Sequence, residues 1–159
     1  MNGYSADNYI IDQDYFGDYT YRTIKVSRNG CGPIAVYNIL KYLGREKPLA
    51  EIVDEMDSMY SVKIPGPTTM KVMRQYIKKY LPEMNESYGR KNCFNSMRKS
   101  VCGIIRYTES GIPHFVSYFR DGEDLRFFNV ETGFEDYRTS AETFFERVLP
   151  GYTALFSVK

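Results

Sequence analysis

Apolar residues recur at helical spacing in three stretches of the first half of the chain. These stretches cover residues 31–43, 49–59 and 70–81. Gly44 follows the first stretch and Pro48 precedes the second, and these residue types are common just after and just before a helix. The pattern therefore predicts three helices, of which the first crosses the centre of the domain.

The second half of the chain instead alternates apolar and polar residues, as β-strands do. Asp121 and Gly122 lie between two such stretches and predict an antiparallel hairpin. The predicted strands, together with a short one before the first helix, cover residues 22–26, 87–90, 101–107, 113–120, 125–130 and 153–158. Helices followed by antiparallel strands are typical of an α+β fold.

Two shorter helices are expected among these strands. Residues 92–99 have the pattern of a helical turn. Thr139 and Glu142 have the spacing of a capping box, which predicts a helix that continues to Val148.

The first 21 residues differ in composition from the remainder. They contain four aspartates and six aromatic residues and have no basic residue. We interpret residues 1–21 as an acidic aromatic arm that packs across the domain surface, with a position in or near a substrate groove as the alternative. The length of 159 residues fits one domain, which we place at residues 22–159.

Charge and hydropathy exclude several classes of partner. Lys and Arg number 21 against 20 Asp and Glu, which gives a net charge of +1 and argues against a nucleic-acid or membrane surface. The chain begins without the pattern of a signal peptide and contains no predicted membrane span. We therefore expect a cytoplasmic protein, with a secreted form trimmed from a longer precursor as the alternative; the oligomeric state stays open.

Cys31 is the first candidate for chemistry. It stands between Gly30 and Gly32 at the start of an apolar helix. A helix N-terminus lowers a thiol pKa through its unpaired N–H groups and its dipole, and glycines let a substrate come close. A small buried cysteine at a glycine-rich cap is the alternative.

His114 and Asn129 are the candidates for the general base and for the amide that orients it. His114 is the only histidine, and Asn129 ends the strand that follows in the predicted hairpin. An imidazole can take the proton of a thiol, and an amide can hold the ring by accepting from its other nitrogen. A zinc site would need Cys31, Cys93, Cys102 and His114, which lack Cys-x-x-Cys spacing, so we expect no metal and no cofactor.

Several short motifs, taken in order, resemble one family. They are Cys-Gly-Pro opening a helix that ends in Tyr-Leu-Gly, then Pro-Thr-Thr, then His-Phe-Val-Ser-Tyr, then Phe-Asn-Val-Glu-Thr-Gly. The sequence is similar to the bacteriocin-processing peptidases, which are papain-like cysteine peptidases with a helical half and an antiparallel-sheet half. The resemblance implies that Cys31 is the nucleophile, His114 the general base and Asn129 the residue that stands where an aspartate is more usual. It also matches Gly133 to the glycine of the turn that follows.

The sequence departs from this family at the oxyanion site. The family has a glutamine shortly before the cysteine, where this chain has Ile24, Lys25 and Val26. Gln13 and Gln75 are its only glutamines and lie elsewhere in the sequence. We expect Asn29 or Lys25 to donate to the oxyanion beside the Cys31 N–H.

The resulting hypothesis is a cysteine peptidase with a Cys-His-Asn triad that acts on a peptide or protein. The resemblance implies a small-residue or double-glycine cleavage site. A peptide-binding module that is weakly active or inactive is the first alternative, because the usual glutamine is missing. An acyl- or peptidyl-transferase on the same scaffold is the second, since an amine can replace water in resolving an acyl-enzyme.

Overall fold

The computed structural model describes residues 2–109, 111–130 and 137–159. Its helices are a 3₁₀ helix at Gln13–Tyr15 and α1 to α6 at Val26–Asn29, Cys31–Tyr42, Leu49–Asp57, Met70–Tyr80, Arg90–Lys99 and Ala141–Phe145. Its strands, β1 to β8, are Thr20–Tyr21, Ile24–Lys25, Asn85–Tyr88, Cys102–Glu109, Ile112–Asp121, Asp124–Phe128, Tyr137–Thr139 and Ala154–Val158. Helices lead and strands follow, as the sequence pattern predicts.

The strands of the second half form one antiparallel sheet of six strands, in the order β3-β8-β4-β5-β6-β7. Alternate residues face opposite sides of a strand. Ile104 of β4 belongs to one core cluster with residues of α2, α3 and α4, whereas Ile105 belongs to a second cluster with residues of α5 and α6. The sheet is therefore covered by helices on both faces, and the three long helices of the first half cover one of them.

Helix α2 is the central element of this first layer. Ten of its residues, from Cys31 to Leu40, are buried, and it packs against β4 and β5. It ends as predicted, since Gly44 adopts the left-handed conformation with φ of 74°. This arrangement places the first turn of α2 beside the start of β5, where Cys31 and His114 lie.

Three local predictions need correction. The expected strand at 22–26 stops at Lys25 because Val26 begins the short helix α1. Ser140 caps α6 in place of Thr139, since the Ser140 hydroxyl accepts a hydrogen bond from the backbone N–H of Thr143. Strand β6 ends at Phe128, because Asn129 has a left-handed φ of 61° that a strand does not accommodate.

The N-terminal segment joins the core. Ile10 and Phe16 are buried within the same cluster as α2. Asn38 of α2 lies beside Ile10, donates to its carbonyl at 2.9 Å and accepts from its N–H at 2.8 Å. Because both backbone groups of Ile10 depend on one side chain, Asn38 holds this segment against the domain.

We expect Asn38→Ala to lower the free energy of unfolding by about 2–5 kcal/mol, since it leaves two buried backbone groups without partners. Chemical denaturation measures this. Asn92→Ala on the exposed face of α5 is the matched control and is expected to change stability by less than about 0.5 kcal/mol. Equal stability of the two variants would show that the Asn38 contacts are not needed to hold the segment.

Candidate active site

A cavity of about 430 Å³ opens at the N-terminus of α2. Cys31 and His114 both line it. The other residues that line it come from the N-terminal segment, the region before Cys31, the loop before α4 and the start of β5: Gln13, Ile24, Arg28, Asn29, Gly66, Pro67, Ile112 and Pro113. Four remote segments of the chain therefore meet around one thiol.

The environment of Cys31 favours the thiolate. Burial by itself raises the pKa of the Cys31 thiol, but the hydrogen bond and charge of His114 outweigh it and leave the pKa below its ordinary value. The backbone N–H groups of Phe115 and Gly32 also donate to the sulfur and lower the pKa further. The Cys31 thiol therefore ionises at lower pH than a free thiol.

The Asn129 carbonyl holds the His114 ring in one orientation. Nε2 of His114 lies 2.9 Å from the backbone carbonyl oxygen of Asn129, and a carbonyl can only accept, so Nε2 carries a proton. The other ring nitrogen is then the one that meets Cys31. Burial lowers the pKa of His114, but the hydrogen bond and charge of Cys31 and the Asn129 carbonyl raise it above its ordinary value. Tyr107, paired with His114 across β4 and β5, packs its ring edge-to-face at 5.9 Å.

Asn129 reaches His114 by its main chain and not by its side chain. The carboxamide instead bonds to Gln13: Nδ2 donates to Oε1 of Gln13 at 2.9 Å, and Oδ1 accepts from the Gln13 backbone N–H at 3.0 Å. Sequence reasoning expects the side chain to hold the ring. A main-chain carbonyl supplies that acceptor here because the left-handed backbone of Asn129 turns its C=O toward β5. Gly133 lies outside the described residues.

Gln13 is the residue that sequence reasoning missed. It lies on the 3₁₀ helix of the N-terminal segment and lines the cavity with Cys31. Its Nε2 donates to the backbone carbonyl of Ser27 at 3.1 Å, which leaves one amide proton. Gln13 lies far in sequence from the position where the family has its glutamine. The only feature of the sequence that could have indicated Gln13 is that the chain has just two glutamines.

The two expected oxyanion donors, Asn29 and Lys25, are not placed to donate to an oxyanion at Cys31. Asn29 is buried and lines the cavity, but both protons of its Nδ2 are taken by the carbonyls of Tyr21 and Gly66, at 2.8 and 2.9 Å. Lys25 is exposed on β2 and is not one of the described residues that line the cavity. In this geometry neither side chain offers a proton beside Cys31.

Gly30 and Gly32 are required by packing. A Cβ on Gly30 would lie 2.3 Å from Cγ1 of Val26, and a Cβ on Gly32 would lie 2.1 Å from Oγ1 of Thr68. Both distances are far below van der Waals contact. The two glycines therefore let α1 and the loop before α4 press against the first turn of α2, which closes the cavity on that side.

The other two cysteines are buried in apolar surroundings. Burial raises the pKa of Cys93 to about 12 and that of Cys102 to about 11. Among residues 2–109, 111–130 and 137–159 no group of three or more His, Cys, Asp or Glu side chains is arranged to hold a metal ion. Within the same residues, no helix has the length and apolar character to cross a membrane.

These pKa directions predict selective alkylation. Iodoacetamide at pH 7 is expected to modify Cys31 at least about tenfold faster than Cys93 or Cys102, since only its thiolate is stabilised. Peptide mapping by mass spectrometry measures the three rates on folded protein. Equal rates at the three cysteines would show that Cys31 is not activated.

No family model matches the sequence, and no curated protein sequence matches it. The structure is similar to the crystal structure of the peptidase domain of Streptococcus ComA, a bi-functional ABC transporter involved in a quorum sensing pathway. The TM-score is 0.54 at 14% sequence identity, over 83% of this chain and 93% of that domain.

The chain has the papain-like cysteine peptidase fold. This confirms the α+β fold class and the resemblance to the bacteriocin-processing peptidases that the sequence motifs indicate. The papain-like fold accounts for the position of the cavity, because it opens between the helical layer that carries Cys31 and the sheet that carries His114.

Proposed function

We propose that this protein is a cysteine peptidase with Cys31 as nucleophile and His114 as general base. The observation that supports this most strongly is that Cys31 and His114 line the same cavity, where their interaction lowers the pKa of the thiol and raises the pKa of the imidazole. These directions favour a thiolate–imidazolium pair, which is the activated form of a peptidase thiol.

The reaction runs in two halves. The Cys31 thiolate attacks the carbonyl carbon of a peptide bond, and the imidazolium of His114 gives its proton to the leaving nitrogen as the C–N bond breaks. This leaves a thioester on Cys31. Water then attacks the thioester, His114 takes its proton, and release of the acid restores the thiolate.

Two donors are available for the oxyanion that forms in each half. One is the backbone N–H of Cys31, in the first turn of α2, where helix N–H groups lack intrahelical partners. The other is the remaining proton of Gln13 Nε2. Donors that are fixed before the reaction stabilise the developing charge without reorganisation.

The substrate is a peptide with small residues next to the scissile bond, with a double glycine as one such site. Cys31 is only 5% exposed, so the approach to its sulfur is narrow. Pro67 and Ile112 form apolar walls of the cavity, and apart from the Cys31–His114 pair Arg28 is the one charged residue among the described residues that line it. The narrow approach to the Cys31 sulfur favours small side chains at the reacting carbonyl.

The experiment that tests the function is incubation with a mixed peptide library and analysis of the products by mass spectrometry. We expect cleavage after small residues and none with Cys31→Ala. An added amine separates hydrolysis from transfer, since a transferase would form amide adducts. Peptide binding by both proteins without cleavage by either would instead identify a binding module, which the position of Gln13 makes the weaker alternative.

A further inference from the structure

The side chain of Asn129 hydrogen-bonds to Gln13 of the N-terminal segment and not to His114. We propose that Asn129 is a positioning residue for Gln13. Its main-chain carbonyl orients His114, and its carboxamide fixes the side-chain amide of Gln13, which is the oxyanion donor. This inference rests on the proposed peptidase function. It gives Asn129 a role different from that of an amide that holds the histidine ring.

The Asn129 carboxamide makes two hydrogen bonds to Gln13, one with its side chain and one with its backbone. Asn129 donates from Nδ2 to Oε1 of Gln13 and accepts at Oδ1 from the Gln13 backbone N–H, at 2.9 and 3.0 Å. Gln13 Nε2 then donates to the carbonyl of Ser27 at 3.1 Å. These contacts leave the Gln13 amide one orientation, with its oxygen toward Asn129 and its nitrogen toward the segment that leads to Cys31.

The backbone conformation of Asn129 lets its main chain contact His114 while its side chain contacts Gln13. Its φ of 61° is left-handed, a conformation that asparagine and glycine adopt more readily than other residues. The main-chain carbonyl meets Nε2 of His114 at 2.9 Å while the side chain extends to Gln13. The contact with the histidine therefore survives any substitution that keeps this backbone conformation.

An aspartate at this position separates the two possible roles. A carboxylate has no proton for Oε1 of Gln13, so the Gln13 amide would turn over, donate Nε2 to the carboxylate and present its oxygen to the cavity. The oxyanion donor would be lost. If the side chain served His114 instead, a carboxylate would be the stronger acceptor and the substitution would be tolerated.

The experiment compares Asn129→Gly, Asn129→Asp, Gln13→Ala and the double variant Gln13→Ala/Asn129→Gly. Acylation of Cys31 by p-nitrophenyl acetate reports the oxyanion site, and the pH profile of alkylation by iodoacetamide reports the Cys31–His114 pair. We expect both Asn129 variants to acylate about 10- to 100-fold more slowly, and we expect Asn129→Gly to keep the alkylation profile of the wild type. We expect the double variant to be no slower than Gln13→Ala, since the two residues act as one unit.

Three results would overturn the proposal: acylation of Asn129→Asp at the wild-type rate, a shifted alkylation profile in Asn129→Gly, or additive losses in the double variant. Asn129→Asp keeps the side-chain size if Asn129→Gly fails to fold. A wild-type protein that p-nitrophenyl acetate does not acylate would overturn the peptidase function, and this inference with it. Normal wild-type acylation with no loss in either Asn129 variant would overturn this inference alone.

Discussion

Replacing His114 by alanine is expected to lower peptide hydrolysis by about 10²- to 10⁴-fold, the usual contribution of a general base. It is also expected to move the alkylation of Cys31 to higher pH. In the wild type the thiolate forms once the pH exceeds the lowered pKa of Cys31, and the imidazolium persists until the pH exceeds the raised pKa of His114. Without the ring, burial of the thiol is opposed only by the backbone N–H groups of Phe115 and Gly32, and the pKa rises.

The measurement is the rate of iodoacetamide alkylation of Cys31 between pH 4 and pH 10. Because His114 is the only histidine in the chain, a change in the profile reports the loss of this ring. Tyr107→Phe is the matched control, since it keeps the ring that packs on His114 and removes only the hydroxyl, which bonds to Glu109 at 2.9 Å. A His114→Ala profile that coincides with the wild type would refute the thiolate–imidazolium pair.

Gln13→Ala is expected to reduce hydrolysis by about 10²- to 10³-fold, as the loss of one oxyanion donor typically does. The alkylation of Cys31 should remain unchanged, because alkylation by iodoacetamide forms no oxyanion at a carbonyl. A selective effect on hydrolysis therefore separates transition-state stabilisation from damage to the nucleophile.

Gln75→Ala is the control for this substitution. Gln75 is the only other glutamine and lies exposed on α4, away from the described lining of the cavity. We expect wild-type rates from it. Hydrolysis by Gln13→Ala at the wild-type rate would assign the oxyanion site to the backbone N–H of Cys31 without help from the N-terminal segment.

Local sequence patterns were sufficient to predict Cys31 and His114 as the candidate catalytic pair. A cysteine between glycines at the start of an apolar helix, and a histidine at the head of a strand, are features of short windows. The structure places the two side chains at one cavity, because α2 packs against β5. Their roles in catalysis remain predictions.

The proposed oxyanion donor, Gln13, could not be predicted from local sequence patterns. Sequence reasoning proposed Asn29 and Lys25 because they lie close to Cys31 along the chain. Proximity in sequence did not reveal that Tyr21 and Gly66 take both protons of Asn29, or that Lys25 faces outward. Those facts depend on which carbonyls the folded chain brings near an amide.

The sequence by itself determined the order of helices and strands, the end of α2 shortly before Gly44 and the choice of Cys31 and His114 as candidates, since periodicity and capping act within a few residues. Only the tertiary structure decided that Gln13 enters the cavity and that Asn129 presents its main chain to His114. Gln13 and Asn129 are 116 positions apart, and a hydrogen bond between them leaves no periodic pattern in the sequence. It exists because burial of the N-terminal segment against α2 brings the two amides together.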